Sequence, residues 1–330
     1  MATHKERMLM RSKITQTVRD FFVGQDFLEV DTPLAIFAPA PEVHIEAISL
    51  KVRTDKYERR FLQTSPELAM KRLLAQGFEK IFQMAPVFRD GEISPLHTPE
   101  FRLLEWYRRD DSWESLMDDC ENLLRCATKA LFGQETLHFH GHSISLAQSF
   151  KRISLNDAFA EFAHFPILDN LTTQALIEQC EELEIFYLPD DTWDDLYHRI
   201  FLNRVEPELL KNPEPFFLTH YPAPLASLAT LSADDLRCAE RFELYVGGIE
   251  LANGFGELTD PQEQRLRFEQ DRRWRAEEGL QDYPIDERFL KALADLPPSA
   301  GIALGLERLC MLLCDVQHID DIAFIPWSKA

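Results

Sequence analysis

The stretch Glu240-Arg241-Phe242-Glu243-Leu244-Tyr245-Val246-Gly247-Gly248-Ile249-Glu250-Leu251-Ala252-Asn253-Gly254-Phe255-Gly256-Glu257 decides how this chain folds. Gly247-Gly248 between two short apolar runs is a two-residue hairpin turn. With those glycines as the turn, Val246 faces Ile249, Tyr245 faces Glu250, and Glu243 pairs with Ala252. Side chains alternate along a strand, so Glu243, Tyr245, Glu250 and Ala252 are expected on one face. The two carboxylates become diagonal neighbours, about 7–8 Å apart at Cα level. Like charges at that range repel unless a cation lies between them, and oxygen ligands suit Mg²⁺ or Ca²⁺. Glu257 follows Gly254, which lets the backbone come close to a ligand. The alternative is a solvated acidic hairpin with no ligand.

Working outward, the chain has 330 residues, 45% of them hydrophobic and 28% charged, an ordinary globular mix large enough for one big domain. Its apolar runs fall far short of the ~18 residues a membrane helix needs. Residues 1–14 are polar and charged, without a signal core. Six cysteines are scattered with no Cys-x-x-Cys pair, which reads as free thiols in a cytoplasmic protein. Cys310 and Cys314, at helical spacing behind an apolar stripe, read as core residues. The net charge of −21 repels phosphate backbones, so a tRNA partner is not expected, and it favours a cationic small substrate.

Helices are expected over 4–22, from Ser65-Pro66 to Gln76, over 112–132, 260–279, 286–294 and 306–313. Ser65 is expected to cap its helix, with Pro66 at the first helical position. Strands are expected over 27–30, 44–52, 61–63, 80–89, 101–109, 216–221 and near 322–325. Residues 154–212 read as three helices, an accessory insertion in a single domain spanning 1–330. His138, His140 and His142 alternate without a matching carboxylate or cysteine and read as surface strand residues.

No phosphate-binding loop, dinucleotide fingerprint or nucleophile elbow occurs. Three separated pieces stand out instead: Phe27 to Pro33 after a long helix; Phe88-Arg89-Asp90, a loop and Pro99-Glu100-Phe101; and Gly301 to Arg308 opening a helix. These resemble the three signature motifs of the class II aminoacyl-tRNA synthetases. Thr64-Ser65-Pro66-Glu67, Glu105-Trp106-Tyr107 and Ala252-Asn253-Gly254-Phe255 resemble active-site segments of lysyl-tRNA synthetase. The first motif begins within the first thirty residues, leaving no anticodon-binding OB domain ahead of it. That truncation resembles the elongation factor P lysine ligase family, truncated lysyl-tRNA synthetase paralogues that attach a lysine, typically (R)-β-lysine, to a lysine of translation elongation factor P.

The resemblance implies an α+β class II catalytic fold, with a central antiparallel sheet flanked by helices, and a homodimer joined near the first motif. It implies ATP as substrate and Mg²⁺. It carries the grip on carboxylate and α-phosphate to Arg89 and the γ-phosphate clamp to Arg308, where a guanidinium fork suits either task. It carries other ATP contacts to Asp90, Gly91, Thr98, Glu250, Leu251 and Gly305, and the metal to Glu243 and Glu250. For the amino acid it implies Glu105, Tyr107 and Glu257 at the ε-ammonium, Glu67 at the nearer amine, and Ser65, Pro66 and Asn253 beside them. Ala303 stands where lysyl-tRNA synthetase has glycine, and one methyl shifts preference by ~1–3 kcal/mol, which fits a differently spaced amine. In the second-motif loop, Gly91, Pro95 and Thr98 replace the usual glutamate, arginine and asparagine, and a one-residue shift would let Glu92 serve for the glutamate. Two further readings stand beside a protein-lysine ligase. One is an adenylate-forming enzyme serving tRNA or another amine. The other is a synthetase-like subunit without catalysis.

Overall fold

The computed structural model describes residues 2–330. Chain order explains how one sheet comes to carry everything else. Helix α1 (His4–Val23) starts with a capping box between Thr3 and Glu6 and leads to β1 (Leu28–Glu29) and β2 (Ala35–Ile36). A loop, β3 (Ser49–Arg53), β4 (Tyr57–Leu62) and α2 (Glu67–Ala75) follow. Then come β5 (Lys80–Phe88), β6 (Glu100–Arg109) and α3 (Trp113–Phe132). The hairpin β7 (Thr136–Phe139) and β8 (His142–Ser145) precedes β9 (Lys151–Ser154). Helices α4 (Leu155–Phe162), α5 (Thr173–Glu182), α6 (Trp193–Ile200) and α7 (Glu206–Leu209) cross to β10 (Phe216–Thr219). The last third holds β11 (Arg241–Val246), β12 (Ile249–Gly256), α8 (Pro261–Glu277), α9 (Glu287–Leu293), β13 (Ser299–Gly305) and α10 (Leu306–Cys314).

Eight strands form the main sheet in the order β1-β5-β6-β13-β12-β11-β10-β9. The six central strands are antiparallel, as expected; only the edge strands β1 and β9 run parallel to their neighbours. Period-2 alternation splits the sheet into two unlike faces. Phe82, Leu104, Trp106, Leu244, Ile302 and Leu304 pack with α1, α3 and α10 into the largest core. Trp106 donates to Asp119 at 3.0 Å and Arg108 grips the same carboxylate at 2.6 and 2.7 Å, fixing β6 to α3. The opposite face carries Glu105, Tyr107, Ala303, Asn253 and Glu243. Apolar side chains of α2, α8 and α9 cover it at the Tyr107 end, and the α4–α7 helices cover it beyond Tyr245 with a core of their own.

Several local expectations need correction. The hairpin turn is where the two glycines put it, with Tyr245 opposite Glu250 and Val246 opposite Ile249. Past Leu244 the register slips by a β-bulge, so Glu243 pairs with Asn253 and Ala252 pairs with Leu244 in the core. The segment before Ser49 is not strand. Its polar backbone is taken by side chains: Arg275 donates to the carbonyls of Glu42 and Ile45, Gln281 to that of Ala47, and the Tyr283 hydroxyl receives the Ala47 N–H. Those partners substitute for a sheet ladder. Near the C-terminus, Ile319–Ile322 forms a tight helical turn, not a strand. Ser65 lies one residue ahead of the cap position and accepts the Glu67 N–H across a short turn. The three histidines spread over the β7–β8 hairpin, His140 at its turn, and converge on nothing. No helix among the described residues is long and apolar enough to cross a membrane.

Candidate active site

Strand register assembles the site from distant residues. Gln83, Glu105, Ala303, Asn253 and Glu243 are successive partners across β5, β6, β13, β12 and β11, forming one row on one face. The next row on that face is Ile81, Tyr107, Gly301, Phe255 and Arg241. The bulge is what lets Glu250 share this face with Asn253. Counted along an unbroken strand, 250 and 253 point oppositely; one extra residue reverses the parity.

At the Glu105 end the row meets the start of α2. Glu105 is fully buried, accepts from the Ser65 hydroxyl at 2.7 Å and from the Tyr107 hydroxyl at 2.9 Å. Burial, with Glu67 adding to it, pushes its carboxyl up to about 8 against those two hydrogen bonds. Lys71, one helical turn beyond Glu67, donates to Glu67 at 2.6 Å and touches the Glu257 carboxylate. Burial pulls the Lys71 ammonium down, but Glu257 and Glu67 outweigh it and carry it up to about 12. Burial also raises Glu257, with Lys71 opposing. Gly301 makes this packing possible: a Cβ there would stand 2.2 Å from Glu257 Oε1 and 2.2 Å from Tyr107 Cε1. Three carboxylates thus close round one end of the row with a single internal cation among them. Pro66 and Glu67 also line a second cavity of about 180 Å³ beside the loop carrying Glu42.

On the other side of Ala303 opens a cavity of about 260 Å³ lined by Arg89, Glu92, His97, Glu250, Leu251, Gly305 and Arg308. Arg89 lies over the Phe101 ring at 5.2 Å and faces Glu92 at 3.7 Å, its Nε buried without a partner. Arg308 donates to the Glu250 carbonyl at 2.8 Å and to His97 Nε2 at 2.6 Å. An arginine only donates, so Nε2 accepts and the His97 proton sits on Nδ1, donating to Ser94 Oγ at 2.7 Å. Burial and the Arg308 charge lower the His97 pKa, keeping the ring neutral. Glu243 accepts from Arg241 and from the Tyr245 hydroxyl, both at 2.8 Å. Burial and the Glu243 charge raise Glu250. Arg308 also approaches the Glu250 carboxylate at 3.5 Å; each carboxylate oxygen still keeps a second lone pair, so the all-oxygen donor set fits a hard dication.

The structure therefore brings Ser65, Glu67, Glu105, Tyr107 and Glu257 into one buried cluster, with Asn253 next to Ala303 along the row, and sets Ala303, Arg89, Glu250, Leu251, Gly305 and Arg308 around the neighbouring cavity. Asp90 and Gly91 lie exposed, outside both linings, and the Thr98 hydroxyl is bonded to the Glu100 carbonyl at 2.8 Å. Glu92, one place along, lines the cavity with a buried unpartnered oxygen. Asn253 Oδ1 is likewise buried and unpartnered. Such orphans in a native site point to a ligand that completes them. Sequence reasoning did not pick out Lys71, His97 or Gly301. An i,i+4 Glu–Lys pair reads as a surface ion pair, and only the packing of α2 against β5, β6 and α9, with Glu257 just past the end of β12, buries it.

Known proteins resemble this chain along its whole length. The family described as tRNA synthetases class II (D, K and N) matches residues 2–329. A protein of Proteus mirabilis named elongation factor P–(R)-β-lysine ligase is 39% identical, covering 98% of this chain and 95% of its own length. Proteins of the same name from Hamiltonella defensa, 38% identical with the same coverage, and Histophilus somni, 39% identical over 96% of this chain and 94% of its own, agree. With a class II sheet, a two-signed cleft across it and relatives of this identity, the chain belongs to the elongation factor P–(R)-β-lysine ligase family of class II synthetases.

Proposed function

We infer that this chain is an ATP-dependent ligase that activates a lysine-type amino acid, (R)-β-lysine in the first place, and joins it to a lysine side chain of translation elongation factor P. The observation that carries the reading is one sheet face with a buried cluster of carboxyl groups on one side of Ala303 and two arginines lining the cavity on the other. Glu67, Glu105 and Glu257 supply carboxyl groups where an amine docks, Glu105 giving up its proton as the ammonium arrives, and Arg89 and Arg308 supply positive charge where a carboxylate meets a nucleotide.

In this reading Glu105 and Glu257 hold the substrate's distal ammonium and Glu67 the nearer one. Arg89, stacked on Phe101, holds the substrate carboxylate against the α-phosphate, and Arg308, backed by neutral His97, holds the terminal phosphate. The carboxylate oxygen bonds to the α-phosphorus and pyrophosphate leaves, giving an adenylate. The acceptor lysine amine then attacks the acyl carbon, forming an amide and releasing AMP and a proton. Mg²⁺ would lie on Glu250 and Glu243 and would neutralise charge building on the phosphates. Arginine forks aimed at developing charge are worth most in such a water-poor cleft.

The same reading makes the enzyme a homodimer of the cytoplasm, with residues 1–330 acting as one catalytic unit. Free cysteines throughout and the exposed Leu28, Leu34 and Phe37 in and just after the first motif support it. The test is direct. Purified enzyme, ATP, Mg²⁺ and (R)-β-lysine or α-lysine are mixed with elongation factor P or with tRNA, and the products weighed by mass spectrometry. One added lysyl mass on the factor supports the reading; charging of tRNA alone, or no product with either amino acid, overturns it.

A further inference from the structure

Outside the cleft, a second cluster of ligating side chains joins two parts of the chain 150 residues apart. His44, on the loop between β2 and β3, meets Asp194 of α6 through Nε2 at 3.0 Å. His198, one turn along α6, donates Nδ1–H to the Asp194 backbone carbonyl at 2.9 Å, with the other Asp194 carboxylate oxygen 3.5 Å away; a metal ion would displace that proton. One ligand atom from each residue lies within 4.8 Å of the others. Ligand atoms on a tetrahedron with zinc bonds of ~2.0–2.1 Å stand about 3.3–3.4 Å apart, a spacing these three side chains reach by small rotamer adjustments. The three side chains are partly exposed, which leaves a path for an ion.

The cluster is held before any ion arrives. Asp194 and His198 are fixed at i,i+4 on a helix whose start is secured by a Thr192–Asp195 capping box. The His44 loop is anchored on both sides, by Arg275 at Glu42 and Ile45 and by Tyr283 at Ala47. On α8, Asp271 stands near enough to sense the charges of Asp194 and His44, and Trp274 lies edge-on to the His44 ring at 5.9 Å.

We propose that His44, Asp194 and His198 form a binding site for a divalent transition metal of the zinc class, pinning the β2–β3 loop to α6, with water as fourth ligand. Two imidazoles and a carboxylate suit Zn²⁺, Co²⁺ or Ni²⁺ and not Mg²⁺, so this site is chemically separate from the Glu243–Glu250 pair. The consequence reaches the cleft through the loop itself. Glu42 lines the cavity beside Ser65 and Glu67, and the Glu46 carbonyl accepts the Asp90 N–H at 2.7 Å at the base of the second-motif loop. An ion at His44 therefore stiffens the wall of the amino-acid pocket.

The test uses full-length protein freed of metal by chelation and then titrated with Co²⁺ without ATP. The expected result is one Co²⁺ per chain with tetrahedral d–d absorption, displaced by Zn²⁺ and unaffected by Mg²⁺. His44→Ala and the near-isosteric His198→Gln should each weaken binding by more than about tenfold while melting close to wild type. Absence of that absorption in wild type, or a Co²⁺ affinity that both variants retain, overturns the proposal and leaves the cluster as a hydrogen-bonded latch.

Discussion

Gly301→Ala tests the amino-acid pocket without touching any charge. The new Cβ would lie 2.2 Å from both Glu257 Oε1 and Tyr107 Cε1, against ~3.5 Å for an unstrained contact. Each neighbour must move by about 1.3 Å (3.5 minus 2.2). Neither is free to do so. The backbone of Tyr107 is the strand partner of Gly301, and its hydroxyl is bonded to Glu105. The Glu257 backbone is bonded to Ser299 at 2.9 Å, and its carboxylate is held by Lys71. Overpacking costs ~1–3 kcal/mol, and loss of the hydrogen bond to the Glu105 carboxyl adds about 1–1.5 kcal/mol. Substrate capture should weaken by about 2–4.5 kcal/mol, roughly 30- to 2,000-fold at 1.36 kcal/mol per decade. The assay is lysine-driven ATP–pyrophosphate exchange, with near-UV circular dichroism to establish folding. The loss should fall on kcat/KM for the amino acid, with the KM for ATP nearly unchanged because Gly301 lies outside the Arg89–Arg308 cavity. A folded variant with exchange within a few-fold of wild type would refute the pocket.

Three further outcomes follow from the same geometry. Arg89→Ala should cut adenylate formation by about 10²–10³ or more while the melting temperature holds; near-normal exchange would remove Arg89 from the chemistry. Ala303→Gly should move selectivity toward α-lysine by about tenfold, and an unchanged ratio of kcat/KM values would count against this residue as a selector. Glu105, raised to about 8, keeps its proton in the folded protein between about pH 4.5 and 8, where an unfolded glutamate has lost it. Its contribution therefore favours folding at low pH and declines as pH rises through that window. Wild type minus Glu105→Gln stability, measured by urea unfolding without ligands, should fall from pH 5 to 8; a difference that grows with pH would contradict it.

Much of the fold was legible because its signals are local. Gly247-Gly248 marked the hairpin, since two adjacent positive-φ positions demand glycine; both adopt positive φ. Capping residues and apolar spacing located α1, α3, α8, α9 and α10 to within a residue or two. The segment before Ser49 misled because alternation says nothing about which hydrogen-bond partners lie nearby. There the partners were side chains some 230 residues away.

By itself the sequence determined the α+β class, the resemblance that named most of the cleft, and the acidic character matched to a cationic substrate. These depend on residue type and short spacing, which a linear chain displays directly. Only the tertiary structure decided that a bulge turns Glu250 and Asn253 to the same face, and that Lys71 sits buried between Glu67 and Glu257. It alone also decided that His44 meets Asp194 and His198. Each is a question of register or packing between segments far apart in the chain, and the energies that settle it do not exist until those segments touch.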